Sequence, residues 1–218
     1  MCFSASASFV AAGATGVAGI FALSRVNEAR EVPLAATPLF FALQQSIEGV
    51  LWLNLPLASD GLLSKTLTLL YLVFAEVFWP LYAAIAAWLI ERSQRRRHLM
   101  AVCLVFSASV GTYLLWWMLG RPYSAAIADG HIAYVPTYWP PYAVGVAYVA
   151  AAGLPLLLSS QRTVLIFGVI ILVGLVVART FYFEAFLSVW CFFAAMASVA
   201  ILLHFKLLRR SRLYRAGA

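Results

Sequence analysis

Seven apolar runs, each long enough to cross a bilayer, constrain this 218-residue chain more than any other feature. At about 1.5 Å of rise per residue, roughly 20 helical residues span the ~30 Å hydrocarbon core of a membrane. The runs lie at 4–23, 33–53, 66–90, 99–119, 139–158, 163–183 and 186–206. The last two are separated only by a few residues around Glu184. Together they cover roughly 40 residues, twice what one span needs, so a tight turn is expected near Tyr182–Glu184. Charged residues make up only 11% of the chain. A soluble domain of this size carries about 25% to cover its surface with solvated groups, and lipid removes that need.

The basic residues test the span count. Seven spans place Arg25, Arg30, Arg92, Arg95, Arg96, Arg97, Arg162, Lys206, Arg209, Arg210, Arg212 and Arg215 on one side, twelve of the fifteen Lys and Arg residues. Lys65, Arg121 and Arg179 fall on the other. Basic loops stay in the cytoplasm, so this asymmetry sets orientation. The expected fold is all-α: a polytopic membrane bundle of seven transmembrane helices over residues 1–218, N-terminus outside, with a basic cytoplasmic tail from about residue 206. A multi-pass cell-membrane protein follows. The +7 charge is then a matter of anionic lipid at the cytoplasmic face, not of nucleic acid. The first run has no basic residue before Arg25 and is read as a retained helix rather than a signal peptide. It is rich in Ala, Gly and Ser, which let backbones approach closely in lipid, within the bundle or against a second copy of the chain. Residues 120–138 form the longest outer loop, enough to fold over the outer mouth.

Ionisable residues within such spans are the natural place to look for chemistry, because charge in hydrocarbon costs roughly 2.5–3.5 kcal/mol on insertion scales. Glu48 lies in the second run, and Gln44, Gln45 and Trp52 share its helix face at spacings of three and four. Glu76 lies about ten residues, or ~15 Å, into the third run, with Pro80 one turn beyond to leave a carbonyl without its helical donor. Arg179 is the expected ion-pair partner of Glu48, with Glu184 competing for it. Tyr113 and Tyr142 are expected beside Glu48, and Tyr148 deeper still, although an interfacial aromatic belt would also account for the outer aromatics. Three dispersed histidines and three cysteines offer no metal motif. Cys2 is a lone candidate, through its thiolate and the amine freed by loss of Met1.

The opening Met1-Cys2-Phe3-Ser4-Ala5, with Ser6-Ala7-Ser8-Phe9, resembles the start of a bacterial integral-membrane family of unknown function. The second-run segment from Pro33 through Gln44-Gln45 to Glu48-Gly49 resembles the same family, which implies a multi-helix protein of the bacterial inner membrane and brings no activity or cofactor with it. Two functions are carried forward. One is binding or transport of a small molecule or ion in an outer-half polar cavity centred on Glu48. The other is a membrane-embedded enzyme or redox protein using that cavity with a metal at Cys2.

Overall fold

The computed structural model of the chain describes residues 4–121, 123–183, 185–202 and 205. Among them are seven helices and one small hairpin. Helix α1 (Ala5–Leu23) opens on Ser4, whose hydroxyl accepts from the Ala7 backbone N–H and caps the first turn. Helix α2 (Val32–Ala58) carries proline in its first turn, where no backbone donor is lost. The third helix is continuous from Leu62 to Ile90 but changes pitch: α3 (Leu62–Leu72), a π-helical turn (Val73–Phe78), then α4 (Trp79–Ile90). Then come α5 (Gln94–Gly120), the hairpin β1 (Tyr123–Ala128) and β2 (His131–Pro136), α6 (Tyr142–Leu157), α7 (Arg162–Phe181) and α8 (Phe186–Ser198). The expected turn after the sixth apolar run is present between α7 and α8.

Among the described residues four helices are long and apolar enough to cross a membrane: Ala5–Leu23, Leu62–Ile90, Gln94–Gly120 and Arg162–Phe181. Tyr142–Leu157 and Phe186–Leu202 are shorter apolar helices, and α2 has the length but carries the polar stripe. The outer faces of the long helices expose large apolar side chains, among them Val102, Val105, Leu119, Val173 and Val176.

Residues 120–138, expected as an outer loop, contain an antiparallel hairpin paired from Tyr123 opposite Pro136 to Ala128 opposite His131. Its two-residue turn is Asp129-Gly130, both at positive φ (48° and 73°). That backbone is the one Asp-Gly favours, and its twist matches that of the flanking strands. The hairpin does not stand off the bundle. Ile132 and Tyr134 are buried in one cluster with residues of α2, α3 and α8.

At the opposite end the turns after α1, α4 and α6 meet. Glu91 caps α4 and accepts from the Ser93 backbone N–H (2.8 Å), the Ser160 backbone N–H (2.7 Å) and the Ser160 hydroxyl (2.6 Å). Arg96 donates to the Leu158 carbonyl at 2.9 Å, and Arg92 reaches Glu28 at 3.5 Å. Burial pushes the Glu91 carboxyl up, but the Ser160 hydroxyl and the surrounding backbone N–H groups outweigh it and hold it below the usual carboxylate range. Helix α1 packs mainly on α2, through small residues such as Gly19, as its composition led one to expect.

Candidate functional site: a buried polar centre around Glu48

The polar stripe of α2 turns inward. Gln44 and Gln45 are fully buried and Glu48 is 1% exposed. Trp52, one turn on, is half-buried, with its indole N–H enclosed and unpartnered. Gln44 is locked at both ends. The Trp79 indole donates to its Oε1 at 2.6 Å, and its Nε2 donates to the Cys191 sulfur at 3.4 Å. An indole N–H can only donate, so this pairing fixes which way the amide points. Stacking of Trp79 on Phe41 (centroids 3.8 Å apart) holds the indole in place. This triad ties α2 to α4 and α8.

Gln45 faces the other way along the stripe and donates to Glu48 Oε2 at 3.2 Å. The side chains of Ser188 (α8), Tyr71 (α3) and Tyr134 (β2) face the same carboxyl. None of the three hydroxyls reaches it in good hydrogen-bond geometry. Glu48 Oε1, Gln45 Oε1 and the hydroxyls of Tyr71, Tyr134 and Ser188 are therefore all buried without a partner. Burying a hydroxyl unpaired costs about 1–3 kcal/mol, and native structures hold only a few such groups. Four such oxygens on Glu48 and the three side chains facing it, with a fifth on Gln45 beside it, are a concentration that packing alone does not explain. The tyrosines are held rigidly: their rings stack at 4.6 Å with a 6° interplanar angle.

Glu76 lies on the π-helical turn. In that turn the Trp79 N–H bonds to the Phe74 carbonyl, five residues back. The next donor in the same register would be the nitrogen of Pro80, which has no hydrogen. The Ala75 carbonyl is left open, and the Tyr148 hydroxyl fills it at 2.7 Å. The proline that sequence placed beside Glu76 thus has a structural answer in α6, and such turns recur at functional sites. Glu76 Oε2 is buried and unpartnered. It is not among the groups facing Glu48; Cys191 is the neighbour that the two acids share.

Three expected members lie elsewhere. Arg179 is exposed and its guanidinium lies 3.8 Å over the Phe183 ring, so the expected pair with Glu48 does not form. Its position in the last turn of α7 points it off the bundle, where an aromatic face suffices. Tyr142 is 87% exposed at the start of α6. Tyr113 sits on the outward face of α5 beside Trp116 and Trp117, in an aromatic cluster of the belt kind. Cys2, Glu184 and the basic tail from 206 lie outside the described residues. Among the described residues no group of three His, Cys, Asp or Glu side chains could hold a metal.

Sequence reasoning did not mark Tyr71, Tyr134, Ser188 or Cys191 as members of the centre. The Asp129-Gly130 dipeptide between two alternating segments was the available signal for Tyr134, since it predicts the hairpin that delivers it. Next to the centre lies a cavity of about 50 Å³ walled by Phe41, Trp79, Tyr82, Tyr148, Trp190 and Cys191. Its lining is aromatic and aliphatic, not the polar cavity expected around Glu48. It meets the polar centre through Trp79 and Cys191, the two residues that clasp Gln44.

No curated protein and no solved structure matches the chain. Residues 1–216 match a family of unknown function, DUF6629, and this chain belongs to that family.

Proposed function

We propose that this is a seven-span integral membrane protein of the bacterial inner membrane, N-terminus outside, that binds or transports a small molecule or ion at Glu48 in its outer half. The observation that carries the reading is the set of buried, unpartnered oxygens around one carboxylate. Such groups are tolerated where something other than the protein completes their bonding. The shared end of the α1, α4 and α6 turns supports the orientation: Arg25, Arg30, Arg92, Arg95–Arg97 and Arg162 all belong to these turns or to the helix ends beside them. That end would face the cytoplasm and its anionic lipids. The hairpin, at the other end, would then cover the centre from outside.

Protonation of Glu48 is the simplest event such a centre can couple to binding. The test is proton uptake by purified protein in nanodiscs after a pH jump, read with a dye in weakly buffered solution. Wild type is expected to take up one more proton per chain than Glu48→Gln across the titration of that carboxyl. Equal uptake by the two proteins, with the variant folded, would show that Glu48 is packing glue.

A further inference from the structure

The chemistry of the five unpartnered atoms says more than that something binds. All are oxygens: Glu48 Oε1, the Gln45 amide Oε1, and the hydroxyls of Tyr71, Tyr134 and Ser188. They come from α2, α3, β2 and α8; the three hydroxyls face the Glu48 carboxyl, while Gln45 presents its amide nitrogen to it and so holds Glu48 Oε2. Their residues are at most 5% exposed. Carboxylate, amide carbonyl and hydroxyl oxygens are ligands of hard cations, not of the softer metals that prefer nitrogen or sulfur. Glu48 is the one carboxylate they surround. A monovalent cation would leave the centre neutral, whereas a divalent one would leave a net positive charge buried among apolar side chains, which is costly. Neighbours that bury one another so completely leave no room for an organic molecule.

We propose that the Glu48 centre is a site for a dehydrated monovalent cation such as sodium, coordinated by Glu48, Tyr71, Tyr134 and Ser188, with Gln45 orienting the carboxylate through its bond to Oε2. The proposal rests on the reading of Glu48 as the binding centre and names its ligand class. Cation and proton compete for the same carboxyl oxygen, so occupancy falls as pH is lowered. The other titratable groups at the centre are Tyr71 on α3, Tyr134 on β2 and Cys191 on α8, all neutral when protonated, with Glu76 of the π-helical turn reaching it through Cys191. Because Tyr134 belongs to the hairpin and Tyr71 to the bundle, an ion held by both clamps the hairpin down.

The experiment uses the full chain in nanodiscs, in N-methylglucamine chloride at constant ionic strength, with sodium chloride replacing it stepwise. Sodium is expected to raise thermal stability along a saturable curve and to slow amide exchange in residues 123–136. Lowering the pH should shift the midpoint to higher sodium, by up to tenfold per pH unit where Glu48 is protonated. Glu48→Gln should lose the response, and Tyr134→Phe and Ser188→Ala should each weaken it at least tenfold; these two keep the proposal testable where Glu48→Gln does not fold. A wild-type protein indifferent to the exchange of sodium for N-methylglucamine overturns the cation assignment, and so does a response unchanged in Tyr134→Phe and Ser188→Ala. Proton uptake that depends on Glu48 without any sodium response sinks the cation alone. Uptake and sodium response both unaffected by Glu48→Gln sink the reading beneath it as well.

Discussion

Replacing Tyr134 by phenylalanine reads the state of the centre through the sign of a stability change. The substitution keeps the ring, its burial and its stacking on Tyr71 at 4.6 Å, and removes one oxygen that has no partner. An unpaired buried hydroxyl costs about 1–3 kcal/mol of desolvation. Its removal leaves a void of roughly 10–15 Å³, worth about 0.3 kcal/mol at ~24 cal/mol per Å³. Tyr134→Phe should therefore stabilise the ligand-free protein by about 1–2.5 kcal/mol. Were the hydroxyl instead bonded to the Glu48 carboxylate, its loss would destabilise by about 1.5–3 kcal/mol. The assay is reversible unfolding in mixed micelles of rising denaturing-detergent fraction, in sodium-free buffer at one pH. Adding sodium should then erase the advantage of the variant, because wild type alone gains the full linkage term. Destabilisation by more than 1 kcal/mol without sodium would refute the claim that the oxygens around Glu48 await a ligand.

Two further outcomes follow from packing and capping. A methyl group on Gly19 would sit 2.6 Å from the Leu39 side chain and 2.9 Å from its backbone nitrogen, so Gly19→Ala must push α1 off α2; overpacking of this kind costs about 1–3 kcal/mol, whereas Gly13→Ala, with nothing within 4 Å, should be neutral or better in the same unfolding assay. At the opposite end, Glu91→Ala removes the acceptor of three hydrogen bonds and should cost about 1.5–3 kcal/mol near neutral pH. Because the folded protein holds this carboxyl below its ordinary value of 4.5, the stabilisation is complete above that value and is lost as pH falls through the lower folded-state value. Stability curves for wild type and Glu91→Ala should converge on acidification; a gap that stays constant to low pH would show that Glu91 acts by packing and not by charge.

Much of the architecture was legible because it follows from one-dimensional quantities. Apolar runs of sufficient length become helices, and the seven runs and seven helices coincide to within a few residues at most ends. Gln44, Gln45 and Glu48 were legible as a buried set because their spacing puts them on one face and that face must avoid lipid. Tyr113, Tyr142 and Arg179 were misplaced for a complementary reason. Their depth along a helix could be read, but not the angle of the helix about its own axis, and that angle turns all three outward. Ser188 and Cys191 were missed on the same ground: nothing in the run 186–206 marks which face of α8 meets α2.

The sequence by itself determined the helix count, the gathering of most basic residues in alternate turns, and the inward stripe on α2, since each depends on local composition and periodicity. Only the tertiary structure decided what meets Glu48. The centre draws on residues 45, 48, 71, 134 and 188, from four elements far apart in the chain. Their convergence depends on helix rotations, on the π-helical turn that Tyr148 satisfies, and on a hairpin folded back into the bundle. Packing complementarity among non-neighbouring segments sets all of these, and no local pattern encodes it.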